Sequence, residues 1–256
     1  MEGTQSPADW FEVWFDSDHY HQLYGHRSNA EAKAFMESLH AHGGWNGLTL
    51  LDLACGKGRH ARAAARLGHE VVGLDLSKNS IEAARLQSAD MPRLSFEVGD
   101  MRDFSLERSF DGVLNLFTSF GYFNNRVDHM AVLERIHAHL KPGGFLILDF
   151  LETDFARHHL VPQDVITRNG VDYHINRHLE STPGEDWETF VKRIQHSSEN
   201  GGMVVHEERV AALEHQHLKS MLNDSGFTIQ EEFGQYDLTP WTKGQTPRLI
   251  LFATKS

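Results

Sequence analysis

Short apolar runs separated by amphipathic stretches occupy the first 150 positions of the chain. Five of these runs have the length and composition of β-strands, at residues 48–54, 71–75, 94–98, 110–116 and 145–150. Helical periodicity or helix-capping residues follow the first, second and fourth of them. Strands separated by helices predict a parallel sheet with right-handed crossovers, so this part of the chain predicts a doubly wound α/β domain.

The segment before the first strand predicts helices. Residues 28–31, Ser-Asn-Ala-Glu, form a capping box that opens a helix running to about residue 42, and Gly43 and Gly44 end it. An aromatic segment, residues 10–24, precedes that helix. Its rings pack either over the rest of the chain or against another subunit, and composition does not choose between the two.

The pattern changes after residue 152. Three alternating segments, at residues 171–175, 187–194 and 203–211, follow one another without helices. Turn signals at Pro183-Gly184 and Asn200-Gly201-Gly202 separate them. This predicts a small antiparallel β lid inserted after the fifth strand.

The C-terminal pattern returns to that of the core. A helix at residues 214–224 and strands at 227–233 and 248–254 bring the predicted main sheet to seven strands. We therefore expect four parts in the chain. They are an N-terminal helical cap (1–46), a ligand-binding core (47–152), the antiparallel β lid (153–211) and the C-terminal part of the core sheet (212–256).

Charge and composition limit the partners. Lys and Arg total 24 against 36 for Asp and Glu, a net charge of −12. A chain this acidic, without a compensating basic run, repels phosphate backbones, so we expect neither nucleic acid nor an anionic membrane as main partner. No apolar run approaches the roughly 20 residues of a spanning helix. The single cysteine, Cys55, fits a reducing compartment, and we expect a cytoplasmic protein.

Histidine is common, with 18 residues and several pairs two positions apart, such as His137 and His139. Residues two apart on a helix point to different faces, and no cysteine or carboxylate joins any pair at ligand spacing. We therefore expect no metal site.

A glycine-containing turn follows the first predicted strand. The sequence from Asp52 to Gly58 places Gly-x-Gly before a helix, where glycines let the backbone approach a ligand and helix amides face it. Asp75 ends the second strand 19 residues after Gly56, where a carboxylate accepts both ribose hydroxyls of an adenosine. A dinucleotide-binding site favours a third glycine at the position that Ala61 occupies. The alanine therefore gives no support to a nicotinamide oxidoreductase, although it does not exclude one.

Four motifs in order resemble those of the class I S-adenosylmethionine-dependent methyltransferases, at residues 52–58, 72–77, 99–101 and 140–144. The resemblance covers nearly the whole chain. It implies a Rossmann-like fold, S-adenosylmethionine as the cofactor and no need for a phosphate cradle. It also implies that the third motif holds the adenine. The residues that we expect to hold the cofactor are Tyr24, Arg27, Asp52, Ala54, Cys55, Gly56, Gly58, Arg59, Asp75, Leu76, Asp100, Met101, Asn115 and Leu116.

Residues 115–123 are similar to a small-molecule subgroup that includes sugar N,N-dimethyltransferases of aminosugar biosynthesis and, more distantly, glycine N-methyltransferases. The Asn/Asp-Pro-Pro-aromatic sequence of the DNA and RNA amine methyltransferases is absent there. The resemblance implies a small-molecule acceptor, methylated on nitrogen or oxygen beneath the lid. The residues that we expect to contact it are Thr118, Ser119, Tyr122, His206, Arg209, Tyr236 and Arg248.

Two of these residues are predicted to be catalytic, His206 and Tyr122. His206 lies on the last lid strand, in a sequence that resembles one found there in related small methyltransferases, and a histidine is suited to accept a proton from an amine or hydroxyl. Alternation along a strand places His206 and Glu208 on one face, and Glu207 and Arg209 on the other.

Other functions stay open at this point. A carboxyl- or C-methyltransferase would use the same cofactor, and a catalytically silent cofactor-binding protein would keep the same motifs. The chain is expected to be a monomer or a homodimer.

Overall fold

The computed structural model describes residues 10–24, 28–197 and 202–256. Its helices are α1 (Trp10–Phe15), α2 (Asp18–Tyr24), α3 (Asn29–Gly43), α4 (Arg59–Arg66), α5 (Lys78–Leu86), α6 (Arg126–His139), α7 (Thr153–His158) and α8 (His215–Asp224). Its strands are β1 (Thr49–Leu53), β2 (Glu70–Asp75), β3 (Leu94–Val98), β4 (Phe110–Asn115), β5 (Leu140–Leu151), β6 (Gln163–Arg168), β7 (Val171–Ser181), β8 (Glu188–Ser197), β9 (Met203–Ala211), β10 (Phe227–Phe233) and β11 (Arg248–Lys255).

Seven strands form one sheet in the order β10-β11-β5-β4-β1-β2-β3. β1 to β5 pair in parallel, whereas β11 runs antiparallel to both β5 and β10. The strand order reverses between β1 and β4, and open α/β sheets bind ligands in the crevice that such a reversal opens at the carboxyl ends of the strands. The predicted seven-stranded, doubly wound α/β fold is confirmed.

Apolar side chains cover both faces of this sheet. On β1, Leu51 and Leu53 belong to the cluster on one face and Leu50 to the cluster on the other, and all three are fully buried. A parallel strand buried on both faces has a continuous apolar sequence, which explains why the core strands are readable from the pattern alone.

The fifth strand is longer than its pattern predicts. α6 ends at His139, as the helix stop at residues 141–144 requires, but β5 already begins at Leu140 rather than at residue 145. The reason is that Leu140 pairs with Phe110 before a register shift, so the Lys-Pro-Gly-Gly sequence lies within the strand.

β6 to β9 form a separate antiparallel sheet between β5 and α8 in the sequence, which confirms the predicted insertion. The pattern of the sequence misses α7 and β6. β6 is an edge strand with the sequence Gln-Asp-Val-Ile-Thr-Arg, and most of its side chains are exposed, so it lacks apolar alternation. Of the predicted turn at residues 200–202, Asn200 and Gly201 lie outside the described residues.

α1 and α2 form a cap over the carboxyl ends of the core strands. Trp10, Phe11 and Trp14 of this cap are only 7%, 6% and 1% exposed, so these rings pack within the chain itself. Asp16, between the two helices, accepts hydrogen bonds from Ser77 Oγ at 2.6 Å and from the Asn79 amide at 3.1 Å. The cap is thereby anchored to the turn after β2. None of the helices described here is long and apolar enough to cross a membrane.

Gly58 begins α4 with a left-handed φ of 72°. A Cβ atom there would lie 2.6 Å from the ring of Phe96 on β3, whereas a Cβ atom at Gly56, with φ 53°, would meet no atom within 4 Å. Gly58 therefore allows α4 to pack closely on the sheet, and Gly56 provides only the backbone conformation of the turn.

We predict that Gly58→Ala destabilises the protein more than Gly56→Ala. Both substitutions place alanine in a left-handed conformation, but only the first adds a clash, for an expected difference of about 1 kcal/mol or more in the free energy of unfolding. Chemical denaturation of the two variants measures this difference. Equal losses of stability would contradict the packing role of Gly58.

Candidate active site

A cavity of about 350 Å³ lies at the carboxyl ends of β1, β2 and β4, beneath the cap. A smaller space of about 50 Å³ adjoins it, and Phe15, Ala54, Asp75 and Tyr122 border both. The predicted cofactor residues that border one or both spaces are Tyr24, Asp52, Ala54, Cys55, Gly56, Arg59, Asp75, Leu76, Asp100, Met101 and Leu116. The structure thus gathers residues of three of the four motifs, whereas the fourth motif lies at the start of β5.

The Asp75 carboxylate joins the ends of β1 and β2. Its Oδ2 accepts a hydrogen bond from the Gly56 amide at 2.7 Å, and its Oδ1 accepts one from the Ser77 amide at 2.9 Å. Burial raises the pKa of Asp75, although these backbone donors favour the charged form. Each oxygen keeps a lone pair for a further donor, as a hydroxyl of a bound ligand would supply.

Asp52 is the second buried carboxylate of the cavity. Its Oδ2 accepts a hydrogen bond from the Ala61 amide of α4 at 2.9 Å. Burial raises the pKa of Asp52 to about 7, with a smaller contribution from the negative charge of Asp75 that Arg59 and Arg62 offset in part. A carboxylate in this state favours a cationic group beside it.

The smaller space has an aromatic and apolar wall with two acidic groups, Asp75 and Asp100. Asp100 and Met101 follow β3 there, opposite Phe11 and Phe123. Arg102 donates to Asp100 from its side chain, with Nε to Oδ2 at 3.0 Å, and from its backbone amide at 2.8 Å. Burial raises the pKa of Asp100, but Arg102 outweighs this effect and leaves the pKa below its ordinary value.

The segment after β4 forms the other side of the main cavity. Leu116, Phe117, Ser119 and Tyr122 border it. Asn115 does not: its side chain is fully buried, with Nδ2 donating to the Leu53 carbonyl at 3.2 Å.

Phe117 and Thr118 are two consecutive non-glycine residues in left-handed conformation, with φ 64° and 63°. The buried Asp149 at the end of β5 accepts a hydrogen bond from the Phe117 amide at 2.7 Å and one from Arg248 Nε at 2.7 Å. Tyr236 also donates to Asp149, at 3.2 Å. Thr118, Tyr236 and Arg248, three of the predicted substrate residues, therefore form a polar cluster around Asp149, and none of them borders the cavity.

Comparison with known proteins identifies the core of the chain. Residues 50–144 match a family model described as "Methyltransferase domain". The chain contains a methyltransferase domain. The resemblance stated from the four motifs is thereby confirmed, and the domain includes Asp52, Asp75 and Asp100, the three acidic residues of the cavity.

Two curated relatives of this methyltransferase domain are named as enzymes that methylate aminosugars. The dTDP-3-amino-3,4,6-trideoxy-alpha-D-glucopyranose N,N-dimethyltransferase of Streptomyces venezuelae is 36% identical over 48% of this chain and 51% of its own length. The dTDP-3-amino-3,6-dideoxy-alpha-D-glucopyranose N,N-dimethyltransferase of Streptomyces fradiae is 40% identical over 40% of this chain and 38% of its own length. The chain thus spans about half, or less, of the length of these relatives.

The fold is also that of solved methyltransferases. The structure of the CcbJ methyltransferase from Streptomyces caelestis superposes with a TM-score of 0.78 at 16% identity and covers 98% of this chain and 99% of its own. A likeness at this identity extends the fold assignment from the methyltransferase domain to nearly the whole chain.

The predicted base, His206, lies behind the cap and does not border the cavity. Its ring packs on Trp14 at 4.2 Å between centroids, and its Nε2 lies 3.2 Å from Nε2 of His196. Because His196 Nδ1 faces the Ser197 carbonyl and must donate to it, His196 Nε2 accepts and His206 Nε2 donates. Burial, followed by the neighbouring His196 and His19, lowers the pKa of His206 to about 4.

Glu208 joins the lid to the cap of the methyltransferase domain. It accepts hydrogen bonds from Trp14 Nε1 at 2.7 Å and from the hydroxyl of Tyr24 at 2.7 Å, and it pairs with Lys192 at 3.4 Å. Tyr24 is also a cavity residue. The predicted alternation is confirmed, since His206 and Glu208 both face the cap.

Arg209 lies on the opposite face of β9. It forms ion pairs with Glu180 and with Glu207, the latter at 2.9 Å, and it does not border the cavity. Because side chains alternate along the strand, Arg209 points away from Glu208 and the cap. The structure therefore does not bring Arg209 to Ser119 and Tyr122, the predicted substrate residues that border the cavity. Arg27 lies outside the described residues.

Several cavity residues carry no motif signal. Three come from the cap, Phe15, Tyr20 and His21, because its docking over the sheet leaves no local pattern. Three others, Lys57, His60 and Arg62, lie in or just after the glycine turn, and that position could have identified them. His21 of α2 borders the cavity with its Nε2 buried and without a hydrogen-bond partner among the described residues. Burial, followed by the charge of Lys57, lowers the pKa of His21. The cavity residues outside the predicted set are Phe15, Tyr20, His21, Asn29, Lys57, His60, Arg62, Ser80, Gln87 and Phe117.

We predict that Asp52→Asn changes how stability depends on pH. In the folded protein the pKa of Asp52 is about 7, above its value in the unfolded chain. The stability of the wild type therefore falls as the pH rises from the unfolded-state pKa to the folded-state pKa. The amide does not titrate and still accepts from Ala61. The stability gain of Asp52→Asn should therefore be larger at pH 8 than at pH 5, by about 2 kcal/mol. Chemical denaturation at both pH values measures it, and a gain independent of pH would contradict the raised pKa.

Proposed function

We propose that the chain transfers a methyl group from S-adenosylmethionine to a nitrogen atom of a small molecule. The observation that carries this proposal is the convergence of Asp52, Gly56, Asp75 and Met101 on connected spaces at the carboxyl ends of β1, β2 and β3. Residues of three motifs thus line these spaces. The cavity lies where the strand order of the sheet reverses, which is where α/β proteins bind ligands.

The cavity residues suit this cofactor chemically. S-adenosylmethionine carries an ammonium and a sulfonium, and Asp52 is a buried carboxylate whose raised pKa favours a cation beside it. Asp75 has acceptor capacity left for ribose hydroxyls. When bound, the cofactor supplies an electrophilic methyl group.

We propose the following division of the predicted cofactor residues. Asp75 with Leu76 holds the ribose, and Asp100 with Met101 borders the adenine. Residues at the turn after β1 and beside it hold the methionyl part; they are Tyr24, Asp52, Ala54, Cys55, Gly56, Arg59 and Leu116. Asn115, whose side chain is buried away from the cavity, stays a prediction through its backbone carbonyl. Gly58 supports that turn through its packing, and Arg27 stays a prediction for the methionyl carboxylate.

The wall of the main cavity supports an amine acceptor. Five aromatic side chains border it, and Ser119 adds a hydroxyl. Aromatic faces attract cations, and both an incoming ammonium and a methylated product carry positive charge. The aminosugar N-methyltransferases among the relatives fit this chemistry. The aromatic residues are Phe15, Tyr20, Tyr24, Phe117 and Tyr122.

We propose His21 as the proton acceptor in place of His206. The Nε2 atom of His21 is buried at the cavity without a partner among the described residues, and its lowered pKa keeps the ring neutral. The corresponding atom of His206 is already committed to His196. Tyr122 stays the second predicted catalytic residue, because it borders both spaces of the cavity.

The finer statements about partners and location are also proposals. The net charge of −12 supports a small-molecule acceptor over nucleic acid or an anionic membrane surface, and the single cysteine supports a cytoplasmic location. We keep the division into cap, core, lid and C-terminal part as a proposal for the folding units, and monomer or homodimer as the oligomeric state.

The cofactor assignment predicts that the protein binds S-adenosylhomocysteine. Asp75→Ala should weaken the binding about tenfold or more, or about 1.4 kcal/mol, because the ribose loses its acceptor. Isothermal titration calorimetry measures both affinities. Asp90→Ala, an exposed carboxylate outside the cavity, is the control of equal charge change. If folded wild-type protein binds NADH and not S-adenosylhomocysteine, the proposal is wrong.

The base assignment predicts different effects for two histidines. His21→Ala should lower kcat about tenfold or more with an amine acceptor from a substrate panel, as loss of a general base does. His206→Ala should retain most of the turnover. Thermal unfolding and S-adenosylhomocysteine affinity of both variants control for damage to the cap. Loss of turnover in His206→Ala alone, at unchanged stability and affinity, would return the role to His206.

A further inference from the structure

The strained segment after β4 has a dedicated anchor. Phe117 and Thr118 adopt left-handed backbone, with φ 64° and 63°, although one is bulky and the other β-branched. Such a conformation costs about 1–3 kcal/mol per residue and persists only where the surroundings determine it. Phe117 borders the cavity, as does the adjacent Ser119. The conformation of this segment therefore sets the shape of this part of the cavity wall.

Asp149 supplies what holds the segment in place. Its Oδ2 accepts from the Phe117 amide at 2.7 Å, and its backbone carbonyl accepts from the Thr118 amide at 2.9 Å. Its Oδ1 lies 2.7 Å from Nε and 2.6 Å from Nη2 of Arg248. Arg248 Nη2 also donates to Thr118 Oγ1 at 2.9 Å. Phe117 is thus held by the Asp149 carboxylate, and Thr118 is held both by the Asp149 main chain and by Arg248 of the ion pair.

The ion pair is not needed to join the strands that carry it. β5 and β11 already pair through the backbone from Arg248 opposite Leu151 to Thr254 opposite Phe145. A buried ion pair is often no more stabilising than apolar side chains of similar volume. The side chain of Asp149 is 1% exposed and that of Arg248 is 17% exposed, so the pair lies in the interior without an evident gain for the sheet itself.

We infer that Asp149, through Arg248, is a positioning residue of the acceptor side of the active site. This inference rests on the proposed function, because it assigns the wall formed by Phe117 and Ser119 to the methyl acceptor. In-line transfer requires the acceptor atom at a defined distance and angle, and small displacements slow such reactions strongly. Arg248 contributes to substrate binding indirectly, by holding Thr118, and not as a direct contact.

Asp149→Asn tests this role with little change in volume. Both carboxylate oxygens of Asp149 accept from donors. In either orientation, the side-chain NH₂ group of the asparagine therefore faces another donor, Arg248 or the Phe117 amide, and one hydrogen bond is lost. Asp111→Asn is the matched control, since Asp111 accepts from the Thr49 amide at 2.8 Å and from Lys141 at 2.8 Å, at the opposite end of the strands.

Three measurements on the full chain are compared between the two variants. In Asp149→Asn, hydrogen exchange at the Phe117 amide should accelerate about tenfold or more, as loss of a charge-assisted hydrogen bond implies. The Kd for S-adenosylhomocysteine should stay within about threefold of wild type, less than 1 kcal/mol. With an amine acceptor, kcat should fall about tenfold or more while KM changes less. Asp111→Asn should match wild type in all three.

Each contrary result has a distinct meaning. Exchange and kcat equal to those of Asp111→Asn overturn the inference, and so does an equal loss of S-adenosylhomocysteine affinity and kcat. If wild type binds no S-adenosylhomocysteine, the proposed function fails, while the exchange rates still decide whether Asp149 holds the segment. If Asp149→Asn does not fold, Arg248→Met removes both the ion pair and the donor to Thr118 Oγ1, and kcat should fall in the same way at a nearly unchanged Kd for S-adenosylhomocysteine. An unchanged kcat in folded Arg248→Met would overturn the inference.

Discussion

The hydrogen bond from the Gly56 amide to the Asp75 carboxylate joins the two strand ends on which the site is built. Parallel strands bring their carboxyl ends to one edge of the sheet, but the ladder between them does not determine the turns that follow. Asp75 does so by accepting from the turn after β1 and from the turn after β2 at once. In the turn after β2, the hydroxyl of Ser77 also donates a hydrogen bond to Asp16 of the cap. The end of β2 thus positions both the cap above the cavity and the turn after β1 that borders it.

Burial gives this arrangement its electrostatic character. Asp52 and Asp75 lie in one cavity, burial raises the pKa of both, and the negative charge of Asp75 raises the pKa of Asp52 further. Two carboxylates held in that way are a poor arrangement for stability alone. They are a good one for a ligand with positive charge and hydroxyl groups.

The core of the fold and one side of the site were predictable, for a physical reason. Strands buried on both faces and a turn that needs glycine constrain short, contiguous pieces of sequence, so Asp52, Asp75 and Asp100 are placed by local pattern. The side that we propose for the methyl acceptor depends on contacts between distant segments. Whether His206 faces the cavity is decided by where Trp14 packs, and the position of Arg248 is decided by Asp149. The alternation along β9 separates Glu208 from Arg209 correctly, yet it does not say which face meets the ligand.

The contact between cap and lid also has a consequence for the order of folding. Trp14 and Glu208 touch across 194 positions of sequence, and Tyr24 and Glu208 across 184. Of the two places where the cap is anchored, the turn at Ser77 and Asn79 is therefore made long before Glu208 of the lid. Contacts of such high sequence separation form late, because loop closure must precede any gain from them. In a newly made chain, Trp14 and Tyr24 therefore lack their Glu208 partner until β9 is in place, and the contact between cap and lid forms late.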